Sequence, residues 1–192
     1  MTCLDEKTLH GMWNYFLMLE GDLDNSSRYI EPVGQENVYS FEFAKLLILA
    51  CTEAEAVFKA ICYEIEGKSV PGDIASYKAT ILARYPNVVK ATVNISRLGR
   101  SIEPFAGWDS GKLTWWSAYN EVKHNRGSHF ADANYINAAN AISALYILIF
   151  YLAEITGIKF KNNASRYISS DYEDVSVTFG VLKKLPDFED NK

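Results

Sequence analysis

Apolar residues recur at helical spacing, about 100° per residue, over five stretches of the chain, and at alternate positions over one. The first stretch runs from about Leu9 to Leu23, with Trp13, Phe16, Leu17 and Leu23 on one side. The polar run Asp24-Asn25-Ser26-Ser27 is expected to interrupt or end it, and Arg28 to Asn37, with Pro32 and Gly34, reads as a loop. Ser40 is the expected N-cap of the second helix, Glu42 suits the dipole in its first turn, and Gly67 stops it. Its buried stripe reads Ala44, Leu47, Ile48, Cys51, Phe58, Cys62, Ile65. Asp73 to Arg84 forms a short third helix that Pro86 stops. From Asn87 the period changes: Val89, Ala91, Val93 and Ile95 alternate with Lys90, Thr92, Asn94 and Ser96, as in a half-exposed strand. Gly99 turns the chain, and Ile102 to Trp108 reads as an irregular aromatic loop.

Thr114 is the expected cap of the fourth helix, which Gly127 ends near His124 to Arg126. Asp132 is the expected cap of the fifth, which runs to about Ile155 and stops at Gly157. Lys159 to Asn163, a candidate strand at Val175 to Val181 and an acidic tail from Asp187 complete the chain. The pattern predicts a mainly α protein: a bundle of about five helices with a small β element near residues 88–96. No repeat, low-complexity tract or long linker divides residues 1–192, so one domain is expected.

Composition narrows the class. At 192 residues, with 48% hydrophobic and 14% aromatic residues, the chain can bury a substantial core and is not disordered. The net charge of −5 provides no global basic field, so contact with nucleic acid would need a local patch. Cys51 and Cys62 lie about three turns apart on one helix, too far to bridge, so with Cys3 they read as reduced thiols of a cytoplasmic protein. Met1 to Thr8 has no signal-peptide pattern. Ala141 to Ala153 falls short of the ~20 apolar residues that a bilayer requires, so it reads as a core helix, without a membrane partner.

Motifs for metal, phosphate loops and nucleophilic elbows are missing from the sequence: no Cys-x-x-Cys, no His-Glu-x-x-His, no Gly-rich nucleotide loop and no Gly-x-Ser-x-Gly. No metal site and no cofactor are expected. Glu55 stands in the apolar stripe of the second helix and must be paired, with Lys59 one turn on or with a group on the fourth helix.

The segment Trp115 to Arg126 carries the candidate chemistry. At helical spacing Trp115, Ala118, Tyr119 and Val122 share one face. Ser117, Asn120, Glu121 and His124 share the other, flanked by Trp116 and Lys123. An imidazole near neutral pH is a general base or acid, and neighbouring cations steady a developing phosphorane. Asn120, Lys123, His124, Asn125 and Arg126 therefore suit attack of a ribose hydroxyl on its own phosphate. The same cations at a helix end also suit plain capping of carbonyls and the helix dipole.

The run Trp115-Trp116-x-x-Tyr119-Asn120-x-Val122-Lys123-His124-x-Arg126, followed by a long Asn- and Ala-rich helix, resembles bacterial proteins of the HEPN superfamily. Tyr39-Ser40, Glu53 to Lys59 and Pro104-Phe105 fit the same resemblance, which spans about Tyr39 to Leu152. It implies a compact helical bundle, often dimeric, serving toxin–antitoxin, abortive-infection or other antiviral systems. Catalytic members carry an arginine, a polar residue and a histidine roughly four to six intervening positions after the arginine, and cleave RNA without metal at a site shared by two copies. On this chain His124 takes the histidine position, Asn120 the polar one and Tyr119 the arginine one, and no arginine has that spacing to His124 or His129. The resemblance implies His124, Arg126 and Asn120 as catalytic residues, with Lys123, Asn125 and Tyr119 on the substrate. Its non-catalytic relatives imply binding of RNA, nucleotides or a cognate protein.

Two other readings are open from the sequence. In one, Phe105, Trp108, Trp115 and Trp116 form an aromatic surface of a non-enzymatic interaction module, although Trp115 suits the core. In the other, Glu55 and His124 meet in one pocket of a small-molecule enzyme. A homodimer is expected from the resemblance and from the very apolar Tyr135 to Phe150.

Overall fold

A computed structural model describes residues 4–158, 168–169 and 186–188. Five helices dominate it: α1 (Glu6–Ser26), α2 (Phe41–Glu66), α3 (Ile74–Arg84), α4 (Thr114–His129) and α5 (Tyr135–Thr156). Between α3 and α4 lie the short strands β1 (Val93–Ile95) and β2 (Arg100–Ile102), with β3 (Ile168–Ser169) further on. The order in the sheet is β2-β1-β3, all antiparallel, with Val93 opposite Ile102 and Asn94 opposite Ser169. The protein is thus a mainly α bundle with a small β element. The expected segments Lys159 to Asn163 and Val175 to Val181, like Cys3, lie outside the described residues.

Local chemistry sets most helix ends. The Asp5 carboxylate accepts from Thr8 N at 2.8 Å, Ser40 Oγ from Phe43 N at 3.1 Å, and Asp73 from Ala75 N and Ser76 N at 3.0 Å. Gly67 and Gly157 close α2 and α5 at φ 67° and 66°, a conformation that costs other residues a clash at Cβ.

Four boundaries differ from expectation. α1 continues past Leu23 but ends inside the polar run, at Ser26 with Ser27 as its C-cap, and Ser26 Oγ donates to Leu23 O at 2.6 Å. The residues from Pro86 to Lys90 form a 3-10 turn, so the strand begins only at Val93. Thr114 is the first residue of α4, whose cap position is Leu113 with no side-chain bond. Asn134 caps α5, its Oδ1 accepting from Asn137 N at 3.0 Å, while Asp132 sits in the 3-10 turn before it.

α5 packs against α2, α1 and α4. It is 22 residues long, more than the apolar run alone suggested, and passes the length and hydropathy test for a membrane span. Yet 78% of its apolar window is buried inside the bundle. That burial places most of the apolar surface of α5 inside the bundle.

Glu55 lies at the rim of α2, where Lys59 Nζ pairs with its Oε1 at 2.6 Å. The pocket shared by Glu55 and His124 therefore has no support. Asp187, at the start of the acidic tail, is docked on the bundle: its Oδ1 accepts from Asn87 N and its Oδ2 from Tyr151 OH, both at 2.9 Å. Phe188 follows it and stacks on Tyr85 at 5.1 Å.

Cys51 and Cys62 are both free thiols at 0% exposure. Burial pushes Cys62 up to about 11 and Cys51 well above the ordinary thiol value. Roughly one Cys62 in a thousand is then thiolate at pH 8. In a Cys3→Ser background, a thiol reagent at that pH is expected to label the protein only once it is unfolded. Prompt labelling of the native form would contradict this.

Candidate functional site

α4 is held by its buried face and ends in the open. Trp115, Trp116, Ala118, Tyr119 and Val122 are buried, as the helical spacing predicts for all but Trp116. Trp115 Nε1 donates to Pro104 O at 2.8 Å, which ties the loop before α4 to its first turn. Trp108 and Trp116 pack on Phe58 of α2, with ring centroids 5.6 and 6.0 Å away. At 1% and 8% exposure, these two indoles form no surface, and the aromatic face of an interaction module is not there.

The helix does not stop at Gly127. Its backbone leaves the helical region at Asn125, φ −133° and ψ 34°, and then resumes to His129. Gly127 is not among the positive-φ glycines, so it does not act as the C-terminal stop that its position suggested. Around this break Lys123, His124, Asn125 and Arg126 are all exposed.

The expected site residues divide into four groups. Lys123 lies across Tyr119, its Nζ donating to the phenol oxygen at 3.2 Å and standing 5.3 Å from the ring centroid. Tyr119 is thus buried support rather than a free ligand group. Asn120 turns the other way, donating to Trp116 O at 3.0 Å. It borders a cleft of about 410 Å³ between α3 and α4, with Lys78, Lys112, Ser117 and Glu121. His124 and Arg126 form the third group: among the described residues neither has a hydrogen bond or ion pair.

Asn125 belongs with His129, which the sequence reading left aside. His129 Nδ1 is 3.1 Å from Asp132 Oδ2, its Nε2 is 3.5 Å from Glu121 Oε2, and Asn125 Nδ2 donates to the same Glu121 oxygen at 3.0 Å. The two carboxylates hold opposite ring nitrogens, so they fix the imidazole and diverge from any common point. Among the described residues no three His, Cys, Asp or Glu side chains form a metal-binding group. A signal for His129 was present in the sequence: Lys123 precedes it by five intervening residues, which meets the implied spacing with lysine in place of arginine.

Chemically, the arrangement offers an exposed, unbonded imidazole flanked in the chain by two cations, and a fixed imidazole between two carboxylates. The first can meet a phosphate but lacks an orienting partner. The second is oriented but flanked by negative charge, which repels a phosphate. No protein-family model, curated protein or solved structure matches this chain.

Proposed function

We propose that this protein is a HEPN-like domain that binds RNA through the exposed end of α4, without metal and without cleaving it. We take it to act in the cytoplasm, in toxin–antitoxin or antiviral defence, the setting that the resemblance implies. One observation carries the reading: Lys123, His124 and Arg126 are exposed at the break in α4 and have no acidic partner among the described residues, on a chain of net charge −5. Cations left free of carboxylates on an otherwise acidic protein are what a polyanion selects.

Binding fits better than cleavage because the two requirements of general acid–base catalysis are separated. Orientation belongs to His129, and access to phosphate belongs to His124. Tyr119 is buried at the family's arginine position, and Lys123 rests on its ring. A lysine also lacks the forked guanidinium that clamps a phosphate in two directions.

The test is fluorescence anisotropy with labelled RNA in EDTA, with a denaturing gel of the same samples. Two phosphate contacts predict a log–log salt slope of about −1.4, so binding weakens roughly sevenfold from 50 to 200 mM salt. The RNA stays intact. No binding at the lower salt rejects the proposal. Cleavage that disappears in His124→Ala or His129→Ala would restore the enzymatic reading.

A further inference from the structure

The cleft between α3 and α4 takes in the first half of α4, whereas the proposed RNA surface lies beyond its last lining residue, Glu121. Its volume of about 410 Å³ falls in the range of roughly 300–1,000 Å³ that small-molecule pockets span. Ile74, Trp108, Leu113 and Trp116 give it an apolar wall, and Lys78 and Lys112 line it as well. We propose that this cleft binds a small amphiphilic oxyanion, an apolar body that carries a phosphate or a carboxylate. The proposal is independent of the RNA reading above.

The two lysines mark where the charged group sits. Lys78 Nζ donates to Gly111 O at 3.2 Å, which fixes the ammonium beside the chain just before α4. Two of its three N–H groups are left for a ligand. Lys112 is the next residue after Gly111, and among the described residues neither lysine has a carboxylate partner. The positive end of the α4 dipole adds to their field, because Leu113 at the cap position has no side-chain oxygen to offset it. The neighbouring carboxylates are engaged elsewhere. Asp73 caps α3, and Asp109 accepts from Ser110 N at 2.8 Å. Glu121 lines the cleft, but roughly 12 Å along α4 from Leu113. Its Oε2 is held there by Asn125 and His129.

The walls are set before any ligand arrives. Phe58 backs both Trp108 and Trp116, and Trp115 ties the preceding loop to α4 through Pro104 O. Gly111 N donates to Gly107 O at 2.8 Å across a tight turn in which Gly107 takes φ 71°, a conformation that suits glycine. Little ordering is therefore lost on binding. Charge and wall together select the occupant. A neutral apolar molecule leaves both ammonium groups unused, and a bare inorganic anion leaves the apolar wall wet. A molecule with both parts satisfies both.

The experiment is calorimetric titration of the full chain with four probes: naphthyl phosphate, naphthoate, neutral naphthol and inorganic phosphate. At least one of the two naphthyl anions is expected to bind with a Kd of about a millimolar or below. Naphthol and inorganic phosphate are expected to bind about tenfold more weakly or worse. Tighter binding of naphthyl phosphate assigns a phosphoester ligand, and tighter binding of naphthoate a carboxylic acid. Lys78→Met and Lys112→Met each weaken the anion roughly tenfold. Ala75→Trp, at an exposed position lining the cleft, fills it and abolishes binding. Lys123→Glu/Arg126→Glu binds the probe like wild type, which separates this site from the RNA surface. Failure of both anions to bind, or naphthol binding as well as they do, overturns the proposal. So does undiminished anion binding in Ala75→Trp or in Lys112→Met.

Discussion

Replacing Trp115 by alanine is expected to cost about 3–5 kcal/mol of stability, measured as the shift in urea unfolding. The indole is fully buried, with Phe105 and Trp116 edge-on at 6.3 and 5.7 Å. Its removal opens a cavity that the surrounding rings cannot close by small shifts, because interiors are packed close to crystal density. It also leaves Pro104 O without the indole donor that it accepts from. A domain of this size has about 5–15 kcal/mol in total, so the variant is expected at the edge of folding.

Trp115→Phe separates the two contributions. It keeps an apolar ring and loses the N–H, so it is expected to cost about 1–3 kcal/mol. If the alanine variant loses less than about 1 kcal/mol, the loop before α4 is not anchored by this ring. The consequence would reach the surface, since this anchor fixes the helix whose far end carries Lys123, His124 and Arg126.

The parts of the fold that were legible in the sequence are those written locally. α2 shows both ends in its residue types, Ser40 as cap and Gly67 as stop, and the structure uses both. The buried face of α4 follows from spacing alone. The end of α4 did not follow, because glycine marks a stop only where the chain turns left-handed, and at Gly127 it does not. Nor did β2, since three residues are too few to show alternation, and its pairing with β1 comes from long-range geometry.

The candidate site was legible as a segment and not as an arrangement. Helical spacing placed His124 on the exposed face, where it is found. It could not show that Lys123 lies on Tyr119, or that Asn125 bonds Glu121 beside His129. The rings of Tyr39 and Phe41 lie far from Phe130 in sequence, and the backbone pairing of Val38 to Ser40 with Ala133 to Tyr135 brings them together. Trp108 and Trp116 show the reverse error. Their composition suggested an interface, but Phe58 covers both inside the bundle.

The double variant Lys123→Glu/Arg126→Glu is expected to weaken RNA binding more than about a hundredfold at 50 mM salt and to abolish the fall of affinity with added salt. Each substitution removes a cation that phosphate meets and adds a charge that repels it, so the change is twice that of simple removal. The fold is expected to survive. Both side chains are exposed, and Arg126 has no bond or ion pair among the described residues. Lys123 loses its contact with Tyr119 OH, and a carboxylate near the helix C-terminus opposes the dipole by about 0.3–1 kcal/mol. A melting temperature within a few degrees of wild type would thus accompany the loss of binding. Unchanged affinity in a folded double variant would assign RNA contact to another face, because no other substitution at this end of α4 alters its charge as much.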